Sequence, residues 1–169
     1  MAPDGTKPCF IVRQEPPDHI AEKTMYKHIL IATDGSELAG KAVATGFDLA
    51  RQLGAQVTLV TVTEPWTAFV TSETTFGFPV DEYEKTANES ASRILSGASK
   101  LARKADIQCA TVHAKDQFPA EGILETANKN HCDLIVMASH GRRGLGRLLL
   151  GSQAVRVLTH STVPVLICR

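Results

Sequence analysis

From Lys27 onward the chain alternates two patterns. Short runs that are apolar throughout end at turn residues, and each leads into a segment with apolar positions three and four apart. "HILIATD" (28–34) is the first run, and Gly35-Ser36 follows it. Ser36 stands where a helix cap belongs. Ala39, Ala42, Val43, Gly46, Phe47, Leu49, Ala50 and Leu53 then share one helical face, and Gly54 stops it. "VTLVTVT" (57–63) is a second, β-branched strand. A long helix fits 81–104, with Tyr83, Ala87, Ala91, Ile94, Leu95, Ala98, Leu101 and Ala102 on one side. "IQCATVHA" (107–114) reads as a third strand and "PAEGILETANKN" (119–130) as a helix opened by Pro119. "DLIVMAS" (133–139), "SQAVRVLTHS" (152–161) and "VPVLICR" (163–169) complete the order as strand, helix and strand.

Strands that are apolar on both faces and alternate with helices predict a parallel sheet covered on both sides, a doubly wound α/β fold with right-handed crossovers. Ligands in such folds sit beyond the carboxyl ends of strands. Two loops there carry suitable chemistry, "TDGSE" after the first strand and "ASHGRRGLGRLLLGS" after the fourth. A third segment, Glu64 to Val80, has no periodicity. It holds Trp66, Phe69, Phe76 and Phe78, four of the chain's nine aromatics, so it is expected to cover an apolar surface.

Composition narrows the field. The 169 residues suit one domain, 43% hydrophobic and 21% charged. Eighteen basic residues balance eighteen acidic ones, which argues against a nucleic-acid binder. No apolar run approaches the roughly 18 residues of a membrane span. Cys9, Cys109, Cys132 and Cys168 form no CxxC or zinc spacing; three of them sit in apolar, strand-like runs and read as buried thiols, and a reducing compartment, with it a cytoplasmic location, is expected. Residues 1–24, polar and with four prolines, read as a flexible extension, with Met25 as an alternative start.

The glycine-rich loop reads as a phosphate holder on physical grounds. Gly141, Gly144 and Gly146 let a backbone approach closely, and a helix starting at Gly151-Ser152 aims N–H groups and its positive dipole end at the same space. By the same reasoning a side chain at Gly151 would fill the room a phosphate oxygen needs. Arg142, Arg143 and Arg147 could supply charge, and Leu148 to Leu150 are expected to anchor the loop on the core. Standard alternatives fail: there is no Gly-Lys-Ser/Thr, "GRRGLG" has the wrong order for a dinucleotide fingerprint, and no G-x-S-x-G occurs. A glycine-rich turn with a plain helix cap explains the same residues. Asp34 can accept from ribose hydroxyls or serve as a cap beside Ser36. Of His19, His28, His113, His131, His140 and His160, no two fit a metal pair, and only His140 lies in the loop.

"YKHILIATDGS" together with "DLIVMASHGRRGLGRLLLGSQAVRVLTHSTVPVLICR" resembles the universal stress protein family over about 26–169. Its nucleotide-binding members carry G-x2-G-x9-G-[ST]. The matching positions here are Ala138, Gly141, Gly151 and Ser152, with alanine where the motif has glycine. The resemblance implies a Rossmann-like sheet in order 3-2-1-4-5 and an ATP site, with or without magnesium. Ala32 and Asp34 would border adenine and ribose, and the Val62 backbone would meet the base edge. Met137 and Ala138 would line the ribose. Gly141, Gly151, Ser152 and Gln153 would hold phosphates. It also implies a homodimer through the last strand.

No nucleophile–base or carboxylate pair stands out, so the reading is a nucleotide-dependent stress sensor or regulator with at most slow ATP hydrolysis. The alternative, favoured by Ala138, is a dimeric interaction module without nucleotide. An adenylate-forming or pyrophosphatase-type enzyme would need a serine- and glycine-rich first loop, which "ATDGSE" is not. "VPVLICR" is apolar and terminal, an edge in need of a partner. Val165→Lys puts a charge into it and should shift sedimentation at micromolar concentration toward the monomer. A wild type that is already monomeric there rules the pairing out.

Overall fold

A computed structural model describes residues 25–69, 79–141 and 150–169. The extension 1–24, the stretch 70–78 and loop residues 142–149, with their three arginines, Leu148 and Leu149, lie outside the described residues. The described elements are β1 (His28–Ala32), α1 (Glu37–Leu53), β2 (Gln56–Val62), a 3-10 turn (Trp66–Phe69), α2 (Val80–Lys104), β3 (Cys109–Ala114), α3 (Pro119–Lys129), β4 (Leu134–Ala138), α4 (Ser152–His160) and β5 (Val165–Cys168). The strands form one sheet in order β3-β2-β1-β4-β5, and every pairing is parallel.

Alternation along the strands divides the core into two layers. Ile29, Ile31, Val57, Leu59, Leu134 and Val136 point to the face covered by α1 and α2. Leu30, Val60, Ile135 and Met137 point to the face covered by α3 and α4. Both faces are buried along β1, β2 and β4, which is why those strands show no polar alternation, while the edge strands β3 and β5 are partly exposed. No helix among the described residues is long and apolar enough to cross a membrane.

β1, β3 and β5 each fall two residues short of their apolar runs at one end, for a local reason. β1 ends because Asp34 Oδ1 accepts from the Ser36 N–H at 3.0 Å and Gly35, at φ 78°, turns the chain into α1. Ser36 Oγ then caps α1 by accepting from Ala39 N–H. Before β3, the end of α2 winds on through Ile107 N–H to Ala102 C=O, with Asp106 left-handed at φ 55°. Before β5, the Ser161 hydroxyl closes a turn on Val163, and Pro164 has no N–H to give to the ladder.

Two expectations about packing are corrected. Leu101, expected on the buried face of α2, is 51% exposed, and Leu150, expected to anchor the loop, is 36% exposed. The α2 residues buried in the core are Ala91, Leu95, Ala98 and Ala102, so the stripe is buried only from the helix middle onward.

Glycine inside α1 sets how closely that helix approaches the sheet. A Cβ on Gly46 would lie 2.5 Å from Ile31 Cδ1 and 2.9 Å from its Cγ1. Ile31 is fully buried and cannot swing away without a new gap. Gly97 in α2 meets nothing within 4 Å. Gly46→Ala should therefore destabilise by about 1–3 kcal/mol despite alanine's better helix propensity, while Gly97→Ala should stabilise by up to about 1 kcal/mol. Denaturant midpoints of the two variants check this opposition.

Candidate functional site

β1 and β4 are neighbours, and the segments leaving them go to opposite faces: α1 covers one, α4 the other. A cavity of about 590 Å³ opens above this switch point. Ala32, Asp34, Val62, Met137, Ala138, Gly141, Gly151, Ser152 and Gln153 all line it, and so does His140. Residues from β1, β2, β4 and the start of α4, far apart in the chain, meet in one space of a size that suits a small-molecule ligand.

The β1 side presents acid. Asp34 uses one carboxylate oxygen in its own turn. The other oxygen faces Gly141: a Cβ there would come within 2.8 Å of Oδ2. The room left by Gly141 is thus taken by the protein's own carboxylate and not held open for a phosphate. This corrects the reason the sequence suggested for that glycine.

The β4 side presents a helix start. Ser139 N–H donates to Cys168 C=O, and its own C=O accepts from Gly151 N–H at 2.8 Å, which ties the two ends of the loop together. A Cβ on Gly151 would lie 3.2 Å from His140 Cα and Cβ and from Ser139 O. Its φ of −64° and ψ of 151° suit any residue, so glycine stands there for space. That space borders the chain itself, contrary to the simple phosphate-clearance expectation. Gly151 has no side chain to cap α4, whose first three residues, Ser152, Gln153 and Ala154, all line the cavity. The Ser139 hydroxyl lies 3.1 Å from His140 Nδ1.

Gln153 has a second task. Its side-chain oxygen accepts from Ala120 N–H at 3.1 Å, capping α3, where Pro119 contributes no donor. Its amide nitrogen remains the group suited to an anion.

The β2 side presents backbone. The last rung between β1 and β2 runs from Thr33 N–H to Val60 C=O. Alternate residues of a strand direct both backbone groups to the same side, so Val62 directs its N–H and C=O toward β1 just past the point where β1 turns away. Thr63 is spent on the other side: its N–H donates to Ala114, its C=O accepts from Gln117, and its hydroxyl lies 3.0 Å from His113 Nε2. Burial, reinforced by Lys115 and opposed by Asp116, pushes the His113 pKa down. Gly122 of α3 makes room for the Val62 side chain, since a Cβ there would meet Val62 Cγ1 at 2.8 Å.

The far wall went unrecognised in the sequence. Tyr83, Thr86, Ala87 and Ser90 of α2 line the cavity. Their stripe reads as core by periodicity alone. The signal that could have set them apart is the mix of hydroxyls among the apolar positions.

A parallel α/β sheet with a cavity at its switch point defines the doubly wound α/β class of protein. The Universal stress protein family model matches residues 25–169, and the chain belongs to that family. It is similar to Universal stress protein YxiE of Bacillus subtilis, 32% identical over 151 residues, covering 86% of this chain and 100% of that one. It also resembles the solved structure of hypothetical protein MJ0577, with TM-score 0.73 and 27% identity over 85% of this chain and 96% of that one. The universal stress protein from Archaeoglobus fulgidus in complex with dAMP shares the fold, with TM-score 0.63 and 20% identity over 86% of this chain and 99% of that one.

The contact between Gly141 and Asp34 makes a testable pair. Gly141→Ala should cost about 1–2 kcal/mol of stability by crowding the carboxylate, and Asp34→Ala should relieve most of that cost. Denaturant unfolding of both single variants and the double variant reads the coupling. Additive values would show that the two residues do not meet.

Proposed function

We propose that the chain binds an adenine nucleotide, ATP in the first instance, and acts as a nucleotide-dependent regulator of the stress response in the cytoplasm. The observation that carries this reading is the polarity of the cavity. A carboxylate on the β1 side suits hydroxyl donors and repels phosphate, while an α-helix start without a side-chain cap on the β4 side attracts phosphate. A nucleotide has its groups in that order: ribose hydroxyls would lie at Asp34, phosphates at Ser152 and Gln153. Ala32, Val62, Met137 and Ala138 would line base and sugar. Gly141 and Gly151 would shape the phosphate end indirectly, by letting the loops close. The dAMP complex of the Archaeoglobus fulgidus protein supports the reading at the level of the fold.

Magnesium would arrive on the phosphates, because the described residues hold no cluster of three His, Cys, Asp or Glu side chains to keep an ion of their own. β5 is an edge strand with Leu166 exposed, which suits a homodimer through that strand. One observation favours the second reading, an interaction module without nucleotide: Ala138, 9% exposed, puts a methyl on the cavity wall where the motif has glycine.

Titration calorimetry with ATP decides between them. Wild type should give measurable heat, and Ser152→Ala should lose about 1–2 kcal/mol for one hydrogen bond to a charged group. If the methyl crowds the ribose, Ala138→Gly should tighten binding. Absence of ATP heat for both wild type and Ala138→Gly rejects the nucleotide reading. Gly151→Val is a poor probe, since the added side chain strains the Ser139–His140 backbone before it reaches a ligand.

A further inference from the structure

The cavity is bounded on one side by the end of β2 and on the other by the first turns of α2. A hydrogen bond joins these walls across the opening. The Tyr83 hydroxyl donates to the backbone C=O of Glu64 at 2.6 Å, and both residues line the cavity. Tyr83 is half-buried and lies in the first turn of the 25-residue α2. Glu64 lies two residues beyond Val62, after the strand has ended.

We infer that Tyr83 is a positioning residue for base selection in this cavity. The inference rests on the nucleotide reading above. Thr63 is anchored toward β3 by its N–H, its C=O and its hydroxyl. Gly122 admits the Val62 side chain closely against α3. Tyr83 adds a hold from the α2 side and downstream, through the Glu64 carbonyl. Together these contacts present the Val62 N–H and C=O as a fixed donor and acceptor.

Adenine's pairing edge offers an acceptor beside a donor, which such a pair can satisfy. Guanine offers the reverse, so it sets donor against donor and acceptor against acceptor. A strip that cannot move makes guanine bear that mismatch in full, because specificity is the cost imposed on the wrong ligand. A strip held less firmly at Glu64 can shift and soften the mismatch. It also pays an ordering cost when adenine binds. Tyr83 acts on the ratio of the two affinities through the backbone it holds, and it also sets the gap between α2 and β2 in which a flat base would lie.

Tyr83→Phe removes the hydroxyl and keeps the ring, so the full-length variant should fold. Dissociation constants for ATP and GTP, measured by calorimetry on wild type and variant, give the readout. The preference for ATP over GTP should fall by about three- to tenfold, the range that loss of one neutral hydrogen bond allows. Amide hydrogen exchange at Thr63 and Glu64 should quicken in parallel. If wild type binds ATP and the preference is unchanged in Tyr83→Phe, the inference is wrong while the nucleotide reading stands. Quicker exchange with an unchanged preference overturns it equally, since Tyr83 would then only brace the fold. If wild type binds neither nucleotide, the nucleotide reading itself falls, and this inference with it.

Discussion

β1 and β4 lie side by side, and the segments that leave them turn to opposite faces of the sheet. Everything at the site follows from that parting. β1 and β4 make their last backbone rungs at Thr33 and Ser139, and beyond those points the groups that faced these two strands have no strand to pair with. A buried backbone group without a partner costs free energy comparable to a lost hydrogen bond, so each must be met by a turn, a cap or a ligand. Asp34, Ser36 and Gln153 meet some of them. The start of α4 and the Val62 strip are left facing the cavity.

The glycines around this opening show how closely the loops are drawn together. Gly141 admits the Asp34 carboxylate, Gly151 admits Ser139 and His140, and Gly122 admits Val62. Each glycine is matched to a protein atom. The cavity is therefore shaped by contacts that exist before any ligand enters, which lowers the ordering cost of binding. The same lining carries the Asp34 carboxylate on the β1 side and the start of α4 on the β4 side. Binding polarity and folding stability rest on the same few atoms.

Much of the fold was legible along the chain. Strands buried on both faces have no polar alternation, and α1 carries its cap at Ser36 and its stop at Gly54, where φ is 62°. Element order followed from those local signals, because apolar periodicity and turn chemistry are properties of short segments. The ends of β1, β3 and β5 were overextended. Side-chain turns at Asp34 and Ser161, and the overrun of α2 to Ile107, remove residues that have the right hydropathy but no partner strand.

The site divides along the same line. By itself the sequence determined which residues could serve: an acid after β1, glycines and a serine before α4, and an apolar end to β2. Tertiary structure alone decided their use. Gly141 and Gly151 look like phosphate clearance in a one-dimensional reading, yet they face the protein's own atoms, because what fills a glycine's empty side depends on the segment packed across from it. Gln153 reads as a ligand for phosphate and is also the cap of α3, a helix more than thirty positions away in the chain. Tyr83 reads as one more apolar position on α2, since periodicity records that a side is covered but not by what. Only the folded chain brings its hydroxyl to the Glu64 carbonyl.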